Sequence, residues 1–568
     1  MRRRTAWTVF LVTLAILGVL FLWPMGRVIR GGFFVEGRFT LAYLKGVFQN
    51  PIYAEGLVNS LKLGAGTTAL ALLIALPLAW LSNRYDFAGK RFLSGLLLVP
   101  MILPPFVGAI GFQQILGQYG ALNALLGLGP IDWLGRGRYF GVIILQGLSL
   151  YPILYLNISA ALANVDPAME EAAENMGCAG FRKFRRITLP LIMPGLFAGG
   201  TIVFIWSFTE LGTPLIMNYF KCTSVQVYDA LKEIGSNPFP YALVFVMLAC
   251  SVLLYGLTKL AFGRQAYAMQ GKAVVSYSAR PVSGSRAALV ILPFAAVCLL
   301  ALLPHAAVIL TSFSAPGSWY GTVLPATFTG AHYVDALGYG ATVGSIRNSL
   351  LFSSLAVLAN IGLGLAIAWV VVRSDLRVRG VLDALAMLPL AVPGMVMAFG
   401  YLSISSWLSN TEWVKDSAAW QAVVDVRTNP TLFLVIAYAV RRLPYMVRSA
   451  VAGLQQTSVT LEESAANLGA APLTTLRRIT LPLISANLIA GTLLAFAFSM
   501  LEVSDSLMLA QRADYYPITK TIYELFGLIG TGKYVASALG VWAMTFLAVT
   551  ILGSSLLLGK KMGALFRV

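Results

Sequence analysis

Charge is scarce in this chain. Asp, Glu, Lys and Arg make up 11% of 568 residues, against about 25% in soluble proteins. A water-soluble fold of this length cannot cover its surface with so few charges. The 58% of hydrophobic residues instead point to an all-α polytopic membrane protein. Histidine and paired cysteine are nearly missing as well. His305 and His332 are the only histidines, and Cys178, Cys222, Cys250 and Cys298 lie far apart without a CxxC. That spacing excludes a structural metal site, a disulfide framework and the convergent cluster a membrane enzyme would need.

Acidic residues are scarcer than basic ones, 23 against 41, for a formal net charge of +18. The basic residues sit in short loops between apolar runs, as topology signals do, so nucleic acid is not an expected partner. Arg2-Arg3-Arg4 and the apolar run from Ala6 to Trp23 resemble a signal peptide. No small-x-small cleavage site follows, so the run is expected to stay as a first span.

Apolar runs predict about twelve transmembrane helices, near 6–25, 56–82, 92–117, 139–163, 193–218, 240–262, 287–311, 346–372, 380–407, 430–452, 485–510 and 535–559. The Lys/Arg bias places segments 83–91, 164–192, 263–286, 373–379 and 453–484, with both termini, on the cytoplasmic side.

The chain is written twice. Asn59-Ser60-Leu61 returns as Asn348-Ser349-Leu350, Ala79-Trp80 as Ala368-Trp369, Arg84 as Arg373, and Pro100 and Pro104 as Pro389 and Pro393. Further on, Glu170–Ile192 aligns with Glu462–Ile484 with 14 identities in 23 positions. The repeat predicts a first six-helix half over 1–263, a cytoplasmic linker over 264–286 and a second half over 287–568. An even number of spans per half gives parallel repeats about an axis along the membrane normal.

The best-matched segment is a loop. Glu171-Ala172-Ala173, three residues, Gly177, nine residues and Ile187-Thr188-Leu189-Pro190 recur as Glu463-Ser464-Ala465, Gly469 and Ile479-Thr480-Leu481-Pro482 at identical spacing. Each copy predicts a short helix with early acids, a left-handed glycine stop, an arginine cluster and a proline restarting a membrane helix. A single copy could be a re-entry elbow that holds the bilayer surface. Two copies at one spacing resemble the signature cytoplasmic loop of ABC importer permeases, with Ser464 the one departure, small for small.

The resemblance covers both loops and the six-plus-six plan. It implies tandem type I permease repeats, each loop presenting a coupling helix to an ABC ATPase subunit, with two ATPase copies. It also implies a periplasmic or lipid-anchored substrate-binding protein and a bacterial or archaeal cytoplasmic (inner) membrane location. This chain would then bind no cofactor, ATP and Mg being held by the ATPase. Fused head to tail, the chain resembles the ferric-iron permease group, which has relatives for phosphonate, sugar phosphate, thiamine and polyamine. A twelve-helix secondary transporter is the alternative, and it would have no need of the two loops.

Gly527-Leu528-Ile529-Gly530-Thr531-Gly532-Lys533-Tyr534 nearly spells a phosphate loop. Tyr534 stands where Ser or Thr must hold Mg²⁺, and no strand precedes it. A tight turn is the better reading. For the path, Glu210 and Glu502 recur at one repeat position. They predict either a paired acidic constriction or helix-end carboxylates held by backbone, water or a salt bridge. Pro104 and Pro393, with Pro100, Pro105, Pro389, Gly108, Gly111, Gly394 and Gly400, predict broken helices that face a cavity or kink against neighbours.

Overall fold

The computed structural model describes residues 3–35, 37–102, 105–233, 237–269, 279–338 and 340–558. Pro104 and linker residues 270–278 lie outside these. Among the described residues, nine helices are long and apolar enough to cross a membrane. Two further pairs, Lys90–Met101 with Pro105–Leu126 and Arg379–Leu390 with Gly394–Ser409, bend by 97° and 100° and bring the number to eleven. They are the expected third and ninth spans. Thr431–Gln456 fills the place of the expected tenth but carries Arg441, Arg442 and Arg448, too much charge for a lipid-facing helix.

Several boundaries differ from the hydropathy reading. The expected fifth span, 193–218, is a helix from Gly180 to Thr209, and the eleventh, 485–510, runs from Pro472 to Met500. Both helices therefore start before Pro190 and Pro482, the predicted restart points. Proline removes one N–H from the ladder. A π-helical turn just upstream, Phe184–Thr188 and Leu476–Thr480, absorbs the defect, with the Leu189 and Leu481 N–H groups reaching the carbonyls of Phe184 and Leu476. The second half's first helix begins at Gly284, inside the expected linker. Linker residues Arg280–Pro281 pair in parallel with Tyr85–Asp86 at the end of the Pro51–Arg84 helix.

The first helix of each half packs on the opposite half. Ala6, Phe10 and Leu17 share a core with Ile367, Leu443, Val447 and Ile484. Val290, Phe294 and Cys298 share one with Leu78, Tyr151 and Leu154. Lipid gives no hydrophobic drive for helix pairing, so close approach and backbone contact must supply it. Gly111 and Gly400, at one repeat position, admit the opposite half's first helix. A Cβ at Gly111 would lie 2.1 Å from the Pro304 carbonyl oxygen, and one at Gly400 3.0 Å from that of Pro24. The Tyr401 hydroxyl also donates to the Leu20 carbonyl at 2.8 Å. These two glycines thus serve the crossing of swapped helices rather than a cavity.

Within each half a small residue opens one helix to the next, on opposite sides of the contact. A Cβ at Gly195 would press on Ala161 at 2.6 Å; at the matching pair the glycine is Gly453, facing Asn487 at 3.1 Å. The repeat keeps the gap while exchanging which helix supplies it.

Candidate functional site

Two regions gather the residues singled out by the repeat: the duplicated loops at one end of the bundle, and a cavity between the halves.

Each loop is a capped helix and a glycine stop. Asp166 accepts from the Ala168 N–H (2.9 Å) to start Pro167–Asn175, and Ser458 does the same from Thr460 (3.3 Å) to start Val459–Asn467. Gly177 and Gly469 follow at φ 81° and 84°. The Cys178 N–H reaches the Ala173 carbonyl and the Gly177 N–H that of Glu174, at 2.8 and 2.9 Å; Ala470 and Gly469 repeat both bonds. This is a Schellman stop, which only glycine or asparagine enters cheaply. A Cβ at either glycine would meet nothing within 4 Å, so backbone conformation alone sets the requirement.

Of the motif residues, Ala173 and Ala465 are buried, Leu189 and Leu481 are half-buried, and Glu171, Ala172, Pro190, Glu463, Ser464 and Pro482 are exposed. The carboxylates that anchor the loops stand one residue earlier. Glu170 is buried and binds Arg84 (2.6 Å), Thr188 (2.5 Å) and Lys183 (3.5 Å). Glu462 binds Arg373 and Thr480 at 3.3 and 3.2 Å. Arg84 and Arg373 end the second helix of each half, so the pair ties the loop to the bundle. The in-register recurrence of Arg84/Arg373 and Glu170/Glu462 was the sequence signal for it. The first loop has one more tie: Lys183 hydrogen-bonds Glu174 at 2.6 Å and holds that carboxyl below its usual range.

The anchoring leaves an apolar row facing outward. Met169, Met176 and Phe181 are 50%, 87% and 76% exposed; their repeat partners Leu461, Leu468 and Leu473 are 47%, 89% and 75% exposed. Exposed arginines Arg185-Arg186 and Arg477-Arg478 flank the row. Large side chains fixed in the open on both copies form a surface that needs a cover.

The second region is an open-mouthed cavity of ≈ 140 Å³ between the halves, lined from both sides by Glu210, Glu502, Pro105, Pro393, Gln146 and Arg441 among others. Helix breaks build it. The Gly180–Thr209 helix stops at Glu210, whose backbone is extended, and a short helix Gly212–Ile216 follows. The equivalent helix stops at Met500, and Ser504–Leu509 follows Glu502. Ser207, one turn before Glu210, contacts the Leu63 carbonyl near the middle of the 34-residue Pro51–Arg84 helix. Glu502 is buried, and Glu210 is half-buried in the wall of the cavity. Lys520 and Tyr228, one repeat apart, meet at 3.3 Å at the end away from the loops. Equivalent residues can touch only at the pseudo-two-fold axis, so the axis runs between them.

The two carboxylates are treated differently. Glu502 receives Arg441 at 2.6 Å and also Arg442, and Arg441 reaches Asp505 at 3.4 Å. Glu210 accepts the backbone N–H group of Thr213 (3.3 Å). No cation stands within ion-pair distance of it among the described residues. The matched acidic pair expected from the repeat is therefore unequal: one member is neutralised, the other is not. Arg441, Arg442 and Asp505 were missed, although two arginines inside an expected span were a signal for polar lining. The phosphate-loop look-alike is the turn between Ile518–Phe526 and Gly532–Leu558, and Tyr534 stacks on His332.

Residues 68–265 and 360–558 each match the family described as binding-protein-dependent transport system inner membrane component. The putative ferric transport system permease protein FbpB 1 of Haemophilus influenzae is 27% identical over 479 residues, 82% of this chain and 70% of that protein. The ferric transport system permease protein FbpB of Actinobacillus pleuropneumoniae is 27% identical over 476 residues, 81% of this chain and 64% of that protein. The molybdenum transport system permease protein ModB of Escherichia coli K12 is 33% identical over 155 residues, 26% of this chain and 66% of that protein. The chain belongs to the binding-protein-dependent transport system inner membrane component family, as two tandem copies of its domain in a multi-pass inner-membrane protein.

Proposed function

We propose that this chain forms the transmembrane path of an ABC importer and that its two loops are the seats of two ATPase subunits. The observation that carries the reading is the duplicated apolar row beside Gly177 and Gly469, anchored by part-buried Glu–Arg pairs and left uncovered. Each row fits a cleft in a partner, and two equivalent rows fit two copies of one partner. The loop end then faces the cytoplasm with both termini, and ATP and Mg belong to the ATPase. A binding protein delivers cargo at the opposite end. Ferric iron is the cargo favoured by likeness to the FbpB proteins, ahead of phosphonate, sugar phosphate, thiamine or polyamine. A twelve-helix secondary transporter has no use for two exposed coupling rows.

Co-purification with the ATPase tests the seats. Met176→Asp with Leu468→Asp should abolish it while the permease remains monodisperse. Gly177→Val with Gly469→Val should also abolish it, because a β-branched residue resists the left-handed conformation; Gly→Asn at both sites should retain it. Unchanged co-purification in the Met176/Leu468 variant would end the reading.

A further inference from the structure

The second half answers a question about the first. At the shift of 292 that aligns the two carboxylates, Arg441 corresponds to Ser149, Arg442 to Leu150 and Asp505 to Thr213. Pro152 and Pro444 keep the same register inside the two helices. In the second half a guanidinium lies against Glu502, and the break in the ninth span makes room for it. A Cβ at Gly394 would fall 1.5 Å from Arg441 Nη1. In the first half Gly394 corresponds to Pro105, and Ser149 is too short to reach Glu210.

What remains around Glu210 is a wall of oxygen acceptors. The Ser149 hydroxyl donates to the Leu145 carbonyl (2.9 Å) and that of Thr209 to Ile205 (2.8 Å), so their lone pairs are left for the cavity they line. Thr213 and Gln146 line the same cavity at 0% and 2% exposure, and the Thr213 hydroxyl and the Gln146 amide nitrogen are buried without partners. A half-buried carboxylate without an ion pair, facing a cavity inside a membrane protein, marks a place where a cation can be met.

We propose that the first-half wall of the cavity is a cation subsite for cargo in transit, in which the cargo's positive group takes the place that Arg441 holds beside Glu502. The subsite uses Glu210 as counter-charge, with Ser149, Thr209 and Thr213 as neutral oxygen partners and the Gln146 amide as a donor to the cation's own oxygen shell. The proposal rests on the reading of this cavity as the importer's path. Its ligand is a metal cation with part of its water or chelate shell, or a small ammonium.

The test is equilibrium binding to the full-length chain in a neutral detergent, with terbium(III) chloride, putrescine and sodium molybdate as probes. Trp206 lines the cavity and serves to sensitise terbium emission. At least one cation should bind, and Glu210→Gln, which keeps the side chain's shape, should weaken it tenfold or more. Ser149→Arg, which installs the second half's guanidinium, should do the same and should also stop uptake. Terbium without putrescine assigns a metal, and the reverse assigns an ammonium. Cation binding that ignores Glu210, no cation binding at all, or molybdate binding that depends on Arg441 would overturn the subsite. ATPase co-purification is read in parallel. Its retention with a failed binding result removes the subsite alone, and its absence in the unmodified chain removes the permease reading.

Discussion

Where the second half places Arg441, the first half has Ser149, and the two sides of the central cavity differ in consequence. On one side Glu502, Asp505, Arg441 and Arg442 form an ionic network. On the other, Glu210 faces the cavity with a backbone N–H group and hydroxyls. The loops differ in the same direction as to detail and not as to plan. Both are anchored by an arginine from the second helix of their half. Only the first adds Lys183 to Glu174, where the second has Thr475 and Ala466. On the proposed reading both loops meet the same kind of partner, which holds them nearly identical, while the cavity between the halves, as the path of a single cargo, is free to diverge.

The sharpest way to break this comparison is to remove each carboxylate in turn. Glu502→Ala leaves Arg442 without its acid and Arg441 with Asp505 alone. Breaking a buried pair costs about 3–5 kcal/mol, so folded protein in the membrane should fall sharply. Glu210→Gln should leave abundance near that of the parent while uptake per folded molecule drops. Quantitative blotting of membranes beside normalised uptake separates the two. Equal behaviour of both variants would mean the halves are equivalent at this level after all.

A smaller effect is expected at the swapped-helix crossings. Gly111→Ala drives a methyl into the Pro304 carbonyl, whereas Gly400→Ala meets Pro24 at an almost tolerable distance. Overpacking of this kind costs about 1–3 kcal/mol, and the first-half variant should lie at the high end. Detergent melting curves should therefore rank Gly111→Ala below Gly400→Ala; the reverse order would show that the crossing is tighter in the second half.

Smallest of all is the extra tie in the first loop. Glu174→Ala, which copies Ala466, should be indistinguishable from the parent in a melting curve at neutral pH, since Glu174 is an exposed partner. Lys183 depresses its carboxyl. The pair's contribution is therefore complete above the unfolded carboxylate value of about 4.3 and disappears as pH falls through the lower folded value. Parent and variant should stay together at neutral pH, any small gap closing in acid. A gap that opens only at acid pH would show the carboxyl raised instead.

Much of the architecture was written in the residue order. Hydropathy marked most of the crossings, nine helices and two bent pairs among the described residues against about twelve expected, because a span must satisfy its own backbone in lipid wherever its neighbours lie. The short helices before Gly177 and Gly469, and the bends between the helix pairs that carry Pro100 and Pro105 and, in the second half, Pro389 and Gly394, are local backbone events that glycine and proline dictate by themselves. The repeat then marked Glu210 and Glu502 as counterparts. Residue order could not say that Glu502 is neutralised by arginines about sixty positions away while Glu210 is not. Nor could it say that Gly111 and Gly400 receive helices from the opposite half, or that Glu170 and Glu462, rather than Glu171 and Glu463, turn inward to the arginines. Each of these depends on which faces of distant helices come to lie together. In lipid that is decided by close packing and by pairing of buried charge, and both exist only once the helices have assembled.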